Sequence, residues 1–489
     1  MVSSGAVQNV YTPLRNGKSP TSSRGIFRRV QGILGELFPE APATARPRQR
    51  RWLVALISVL AVIAGAAVSL ARYTGTPAWK SVYAEDYPVY LIEALAHPWR
   101  SVFTAYAGYE QLVPRLIGQF VSFLPLADAA AAFAIIGALV TAGVAVFVYF
   151  VSEGHVRGTL ARVLLALSVL LLPNALLQLG NSGVNTPWYL EIALFWALLW
   201  RPRSRTGLVV AALIGFLTAS SNITATVFVV LVVIRVVALP RIREHAVTAG
   251  WLAGCLVQLP YFLHSSSQSS SRLSHLATPS QTLGFYGHDV LLPAFGWHMS
   301  WLLRHWVDRN YGVLIAGGLI AIGTVAALIT GTRRVRVFVV TALAFGFVFA
   351  AFSATVTWWV TVNGVKFDAE PGARYTALPI LLMTAAAIAA VDAKFSPRAT
   401  REGLTREGLS REGLARESIP AVIASLTLIA VLCVGWIPDF RYQAQRDEIP
   451  PWAPVVAQWQ QICQHHSVAH YKDGYADNTT FTIPCSRLR

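Results

Sequence analysis

Charge is scarce in this 489-residue chain. Asp, Glu, Lys and Arg supply 13% of it, against 54% for hydrophobic residues. An ordinary water-soluble domain carries about 25% charged residues, and here apolar runs of about 20 residues recur, so lipid is the solvent for most of the chain. Several sequence motifs are also missing. There is no G-x-x-x-x-G-K-[ST] loop, no G-x-G-x-x-G following a strand and no G-x-S-x-G elbow. Nucleotide hydrolysis, dinucleotide redox chemistry and serine-hydrolase chemistry therefore lack support. No H-E-x-x-H or other compact ligand set occurs, so no structural zinc site is expected. Cysteine is nearly absent, with four in the chain. Cys255 and Cys433 lie in apolar runs and read as small buried hydrophobes, whereas Cys463 and Cys485 share the C-terminal tail. In an oxidising compartment that pair is expected to form a disulfide, which by closing a loop of about 20 residues would contribute roughly 3 kcal/mol.

Long apolar sequence is what the chain has in quantity. The pattern predicts an all-α, polytopic membrane protein with about eleven transmembrane helices, near 52–71, 129–150, 160–179, 183–200, 207–221, 223–239, 246–263, 311–330, 337–356, 376–392 and 419–436. The first run, RWLVALISVLAVIAGAAVSLARY, has no small-residue cleavage site and reads as a retained helix, not a signal peptide. Pro173 is expected to kink or end the third span, and Ser220, Ser221 and Asn222 to make a tight turn between the fifth and sixth. Orientation follows from the basic residues, because Lys and Arg in short loops stay in the cytoplasm. With the N-terminus inside and the C-terminus outside, 26 of the 40 fall on the cytoplasmic side. The net charge of +16 then reports topology. These Arg residues are scattered over short segments without a basic, aromatic-rich face, so no nucleic-acid partner is expected.

The domain plan is correspondingly simple. Residues 1–51, rich in Ser, Pro and Arg, are expected to be a disordered cytoplasmic tail with at most an electrostatic attraction to anionic lipid. Residues 52–436 form the transmembrane domain, and 437–489 a small extracytoplasmic tail. Within the domain, the cytoplasmic linker 393–418 carries TREGLTREGLSREGLARES, whose five-residue period fits neither helix nor strand and reads as a solvated spacer.

The first external loop, about 73–128, opens with YAEDYPVYLIEAL, where Glu85 and Asp86 stand side by side in a chain that otherwise avoids charge. Further on, EQLVPRLIGQFVSFLPL places Leu112, Leu116, Phe120 and Phe123 around Arg115 and Gln119, the pattern of an amphipathic interfacial helix. EALAHPWRSVFTAY adds Trp99, Phe103 and Tyr106, aromatic types that settle at headgroup level. An N-terminal span, a long first external loop with an early acidic pair, amphipathic helices in that loop and many further spans resemble the GT-C glycosyltransferases. The segment DAEPGARYTALPILLMTAAA is similar to late-helix segments of that superfamily. The resemblance implies a polyprenyl-phosphate sugar donor, an extracytoplasmic glycan, lipid or protein acceptor, and a cell-membrane enzyme working by single displacement with inversion.

The residues supply a chemistry that can be argued beside the resemblance. Transfer to a hydroxyl needs a base, and a carboxylate shielded by lipid and aromatic rings has the raised pKa that suits it. Asp86 is the candidate base; Glu85 would position the acceptor, bind a metal or raise the pKa of its neighbour. The plainer reading is that both carboxylates face water and favour the N-terminal end of a helix. A departing phosphate calls for a positioned Arg. Arg374 is best placed, with Lys366 in the same loop and Arg115 as a weaker alternative; snorkelling to headgroups is the competing role. The external loop at about 264–310 offers His288 and Asp289 to an acceptor, and Trp297 to stack on a sugar or anchor at the interface. Glu191, in the fourth span, is the main ionisable residue inside a span and is assigned to the substrate groove. A loosely held divalent cation at Glu85 and Asp86 is left open as a cofactor. The rivals from other classes are a transporter or flippase of lipid-linked saccharides and a polymerase or ligase that joins them. The preference for Arg (35) over Lys (5) points to a bacterium of high genomic GC content.

Overall fold

A computed structural model describes residues 23–40, 48–173, 175–265, 277–296, 298, 309–356, 373–395, 411–441, 449–472 and 480–487. The architecture is helical. In chain order the helices are α1 (Ser23–Gly35), α2 (Arg48–Leu70), α3 (Ile92–Ala96), α4 (Leu112–Val121), α5 (Ala129–Val151), α6 (Thr159–Leu170), α7 (Ala175–Gln178) and α8 (Thr186–Leu199). There follow α9 (Arg205–Ala219), α10 (Val229–Ala238), α11 (Ala246–Ser265), α12 (Pro279–Phe285), α13 (Arg309–Thr330), α14 (Arg333–Val356), α15 (Ala373–Phe395), α16 (Arg411–Trp436) and α17 (Trp452–His465). Among the described residues, the regular strands are β1 (Val468–Lys472) and β2 (Thr480–Pro484), an antiparallel ribbon pairing Val468 with Pro484.

Among the described residues, six helical stretches, against the eleven spans expected, are long and apolar enough to cross a bilayer: Trp52–Leu70, Leu126–Gly154, Ile242–Leu263, Tyr311–Thr330, Arg333–Thr355 and Ala373–Ala393. The other five expected spans fall on shorter apolar stretches, Thr159–Leu170, Thr186–Leu199, Arg205–Ala219, Ile223–Ala238 and Val422–Trp436. The physical reason differs from case to case. Pro173 follows the end of α6 and the chain restarts as the short α7, because proline cannot continue the hydrogen-bond ladder. α8 has 14 residues and extends about 21 Å, short of a hydrocarbon core of about 30 Å. Nearly every residue of α8 is buried, so its apolar composition reports packing among other helices.

Two helix pairs show how this core closes. α9 and α11 meet through glycine: a Cβ on Gly215 would lie 2.4 Å from the carbonyl oxygen of Val247, and one on Gly250 would lie 2.0 Å from that of Ala212. Small residues let helix backbones approach closely where lipid supplies no hydrophobic drive to associate. α14 packs on α15, with Phe345 and Phe349 turned toward Phe195 and Phe228.

The ends of the chain depart from expectation. The tail expected to be structureless contains α1, and Leu37 and Phe38 after it are buried in the main core. Apolar residues spaced for one helix face explain this, a signal that the overall Ser, Pro and Arg content obscured. α16 begins at Arg411, inside the repeat read as a spacer. At the other end, α17 buries Trp452, Val456, Trp459 and Cys463 against Tyr87, Leu91, Ile92, Leu95 and Ile117 of the first loop, forming a second core. Cys463 and Cys485 are joined in a disulfide, Cα–Cα 5.3 Å.

Candidate functional site

The acidic pair lies in a short 3₁₀ turn, Ala84–Asp86, continued by a π-helical turn at Tyr87–Leu91 and then α3. Ala84 sits at φ 47°, a left-handed conformation that costs an L-residue roughly 1–2 kcal/mol and that reverses the chain just before Glu85. The two carboxylates end in different surroundings. Asp86 is fully buried, and its oxygens accept the backbone N–H groups of Gly183 (3.0 Å) and Val184 (2.7 Å), just before α8. Gly183 is required there, since a Cβ would lie 2.9 Å from the Phe133 ring and 3.0 Å from Asp86 Oδ1. Two carboxylate–amide bonds of this kind fix the first loop to the loop before α8. Glu85 is half-buried instead, and the Tyr106 hydroxyl donates to its Oε1 at 3.5 Å.

A tight turn brings two tyrosines to Glu85. Tyr106 and Tyr109 exchange backbone hydrogen bonds (3.0 and 3.3 Å) across Ala107 at φ 55° and Gly108 at φ 89°, the left-handed pair of a two-residue hairpin. Arg374, at the start of α15, lies within electrostatic reach of Glu85, Tyr106 and Tyr109. Its guanidinium stands 5.3 Å from the Tyr375 ring centroid, its backbone N–H donates to Gln178 Oε1 (3.4 Å), and its Nε is buried with no hydrogen-bond partner among the described residues. Tyr375 in turn meets Trp188 edge-to-face at 4.9 Å. Burial, followed by the charge of Glu85, pushes the Tyr106 phenol up to about 12, and burial raises Tyr109 as well. Both phenols stay protonated at neutral pH and act as donors.

The remaining candidates are placed as follows. Arg115 is buried on α4, bound to Glu93 at 2.6 Å and lying over the Tyr90 ring, so its charge is already matched within the protein. α4 turns Leu116, Phe120 and Phe123 outward and Arg115 and Gln119 inward, which makes its apolar face the lipid-directed one. Glu191 is fully buried on α8; its Oε1 accepts from the Thr224 hydroxyl, its Oε2 has no hydrogen-bond partner, and it lies within electrostatic reach of Tyr109. His288 and Asp289 are half-buried in a π-helical turn, Tyr286–Leu291, that packs on α12 to α15. Lys366 and Trp297 lie outside the described residues. No group of three His, Cys, Asp or Glu that could hold a metal ion occurs among the described residues.

Sequence reasoning missed Tyr106, Tyr109, Tyr375 and Gln178 as parts of one constellation. The signal for the first two was available in YAGY, a two-residue turn with Gly between tyrosines. Gln178 had none, since only the break after Pro173 delivers it to Arg374.

Comparison with known proteins adds little to this geometry. No protein-family model matches the chain, and no curated protein matches it. Among solved structures the chain is similar to the archaeal oligosaccharyltransferase AglB from Archaeoglobus fulgidus, in complex with an inhibitory peptide and a dolichol-phosphate, at 12% identity and TM-score 0.35. That match covers 85% of this chain, which spans 59% of the neighbour's length.

Proposed function

We propose that this membrane protein is a glycosyltransferase that moves a sugar from a polyprenyl-phosphate donor to the hydroxyl of an extracytoplasmic acceptor, with chemistry centred on Glu85 and Arg374. The observation that carries the reading is the gathering of the half-buried Glu85 carboxylate and the Arg374 guanidinium within electrostatic reach of each other and of Tyr106, Tyr109 and Tyr375. Glu85 takes the acceptor proton as the acceptor oxygen attacks the anomeric carbon. The bond from that carbon to the phosphate oxygen breaks, the electron pair leaves with the lipid phosphate, and Arg374 neutralises the charge that develops there. Attack opposite the leaving group inverts the anomeric centre. Asp86, both of whose oxygens are taken up by backbone amides, holds Glu85 in place by fixing the turn that carries it.

The test is transfer from a panel of polyprenyl-phosphate sugars by the purified chain, wild type beside Arg374→Lys. A lysine keeps the charge but loses the planar fork, so donor-dependent turnover should fall by roughly 10-fold to 100-fold with the fold intact. Failure to turn over any donor, with equal binding of a lipid-linked saccharide by both proteins, would instead favour a transporter of such lipids.

A further inference from the structure

α1 carries a surface that the proposed chemistry does not use. Its C-terminal end is fastened to one end of the helical bundle by several contacts. The Arg235 guanidinium lies over the Phe38 ring at 5.5 Å, Glu40 pairs with Arg201 at 3.0 Å and Arg203 at 3.1 Å, and Glu36 approaches Arg334 at 3.7 Å. Gln31 donates to the carbonyl of Val237 at 3.2 Å, which seats the helix at the C-terminal end of α10. On α10 the exposed residues Val229, Val233 and Val236 recur at helical spacing, forming a stripe that faces lipid. The second half of α1, at Gln31, therefore sits beside the end of that apolar stripe.

The faces of α1 divide in the matching order. Gln31 and Leu34 turn toward the protein, Val30 and Ile33 are exposed at 43% and 39%, and Arg28, Arg29 and Gly32 lie on the outer side. With about 3.6 residues per turn, Val30 and Ile33 share one edge, Arg29 flanks it on the face away from the protein, and Arg28 and Gly32 lie on the side away from that edge, next to Gln31. An exposed apolar edge flanked by Arg29, with Arg28 on the opposite, polar side and a lipid-facing stripe close by on α10, fits the boundary between acyl chains and anionic headgroups. We propose that α1 is a surface helix docked on anionic phospholipid, with Val30 and Ile33 in the acyl boundary and Arg28 and Arg29 on headgroup phosphates.

The experiment uses the full chain in nanodiscs, with Cys255→Ala and Cys433→Ala, and an environment-sensitive fluorophore on Ile33→Cys or Gly32→Cys. Nanodiscs of phosphatidylcholine alone are compared with ones containing phosphatidylglycerol. At position 33 a lipid-borne spin-label quencher should act roughly threefold more strongly than at position 32, where aqueous iodide should dominate. Phosphatidylglycerol should raise the docked fraction by roughly fivefold per arginine at low salt, and Arg28→Glu with Arg29→Glu should abolish that gain. Iodide quenching at both positions would mean a solvated helix and overturn the proposal. Protection of position 33 from both quenchers would mean that protein covers the edge, with the same consequence. Lipid quenching that ignores headgroup charge would remove the anionic part of the proposal.

Discussion

Glu85 and Asp86 are chemically alike and adjacent, and the backbone around them gives them different work. Asp86 is surrounded by amide donors and acts as an anchor; Glu85 keeps an oxygen toward Tyr106 and the Arg374 cluster. Replacing Asp86 by Asn puts an amide N–H₂ against one of the two backbone N–H groups, which should lower stability by about 1–3 kcal/mol. Denaturation of the purified protein would show this as an earlier midpoint. Glu110 makes a second residue-scale prediction. Its backbone is gripped by Gln258 of α11 (2.9 and 2.8 Å), while its carboxyl is buried beside Tyr261, whose hydroxyl donates to the Phe103 carbonyl. Burial raises this carboxyl to about 7, with Tyr261 and Arg115 pulling the other way. Because the folded state holds its proton longer than the unfolded state, stability should fall as pH rises from about 4.5 to 7 and level off above. Glu110→Gln should remove that slope, and stability measured across this range checks it. From sequence the acidic pair was legible as unusual, but the division of labour was not, because it depends on amides 97 and 98 residues away.

At the scale of elements, the first loop is held by two neighbours distant in sequence. The loop before α8 binds Asp86, and α17 supports Tyr87, which stacks on Trp459 at 5.2 Å and meets Trp452 edge-to-face at 5.0 Å. The Cys463–Cys485 bridge ties the far end of α17 to the residues that follow β2. Cys463→Ser with Cys485→Ser should loosen α17 by roughly 3 kcal/mol. Limited proteolysis should then cut within Trp452–His465 while the spanning helices stay intact. α4 and the break at Pro173 were legible because amphipathic spacing and proline act locally. The expected spans 160–179 and 183–200 fall on shorter helices, because apolar composition alone does not separate a segment buried in protein from one facing lipid. The support from α17 left only the spacing of its tryptophans as a clue.

For the whole molecule, scarce charge and long apolar runs sufficed to identify a helical membrane protein, and six helices long enough to cross a bilayer agree with that. The count of spans is left open by this, since the other five expected spans fall on shorter apolar helices among the described residues. α2, α5, α8 and α15 form a frame on which the first loop rests, and on the proposed reading the Glu85 carboxylate of that loop meets a donor that arrives within the bilayer. The measurement that tests this most directly is single-turnover sugar transfer in nanodiscs loaded with a polyprenyl-phosphate sugar, comparing wild type with Glu85→Gln at matched stability. The account predicts transfer by wild type and a loss of roughly 10² to 10⁴-fold in the variant, with donor binding unchanged. Full transfer by Glu85→Gln would contradict it.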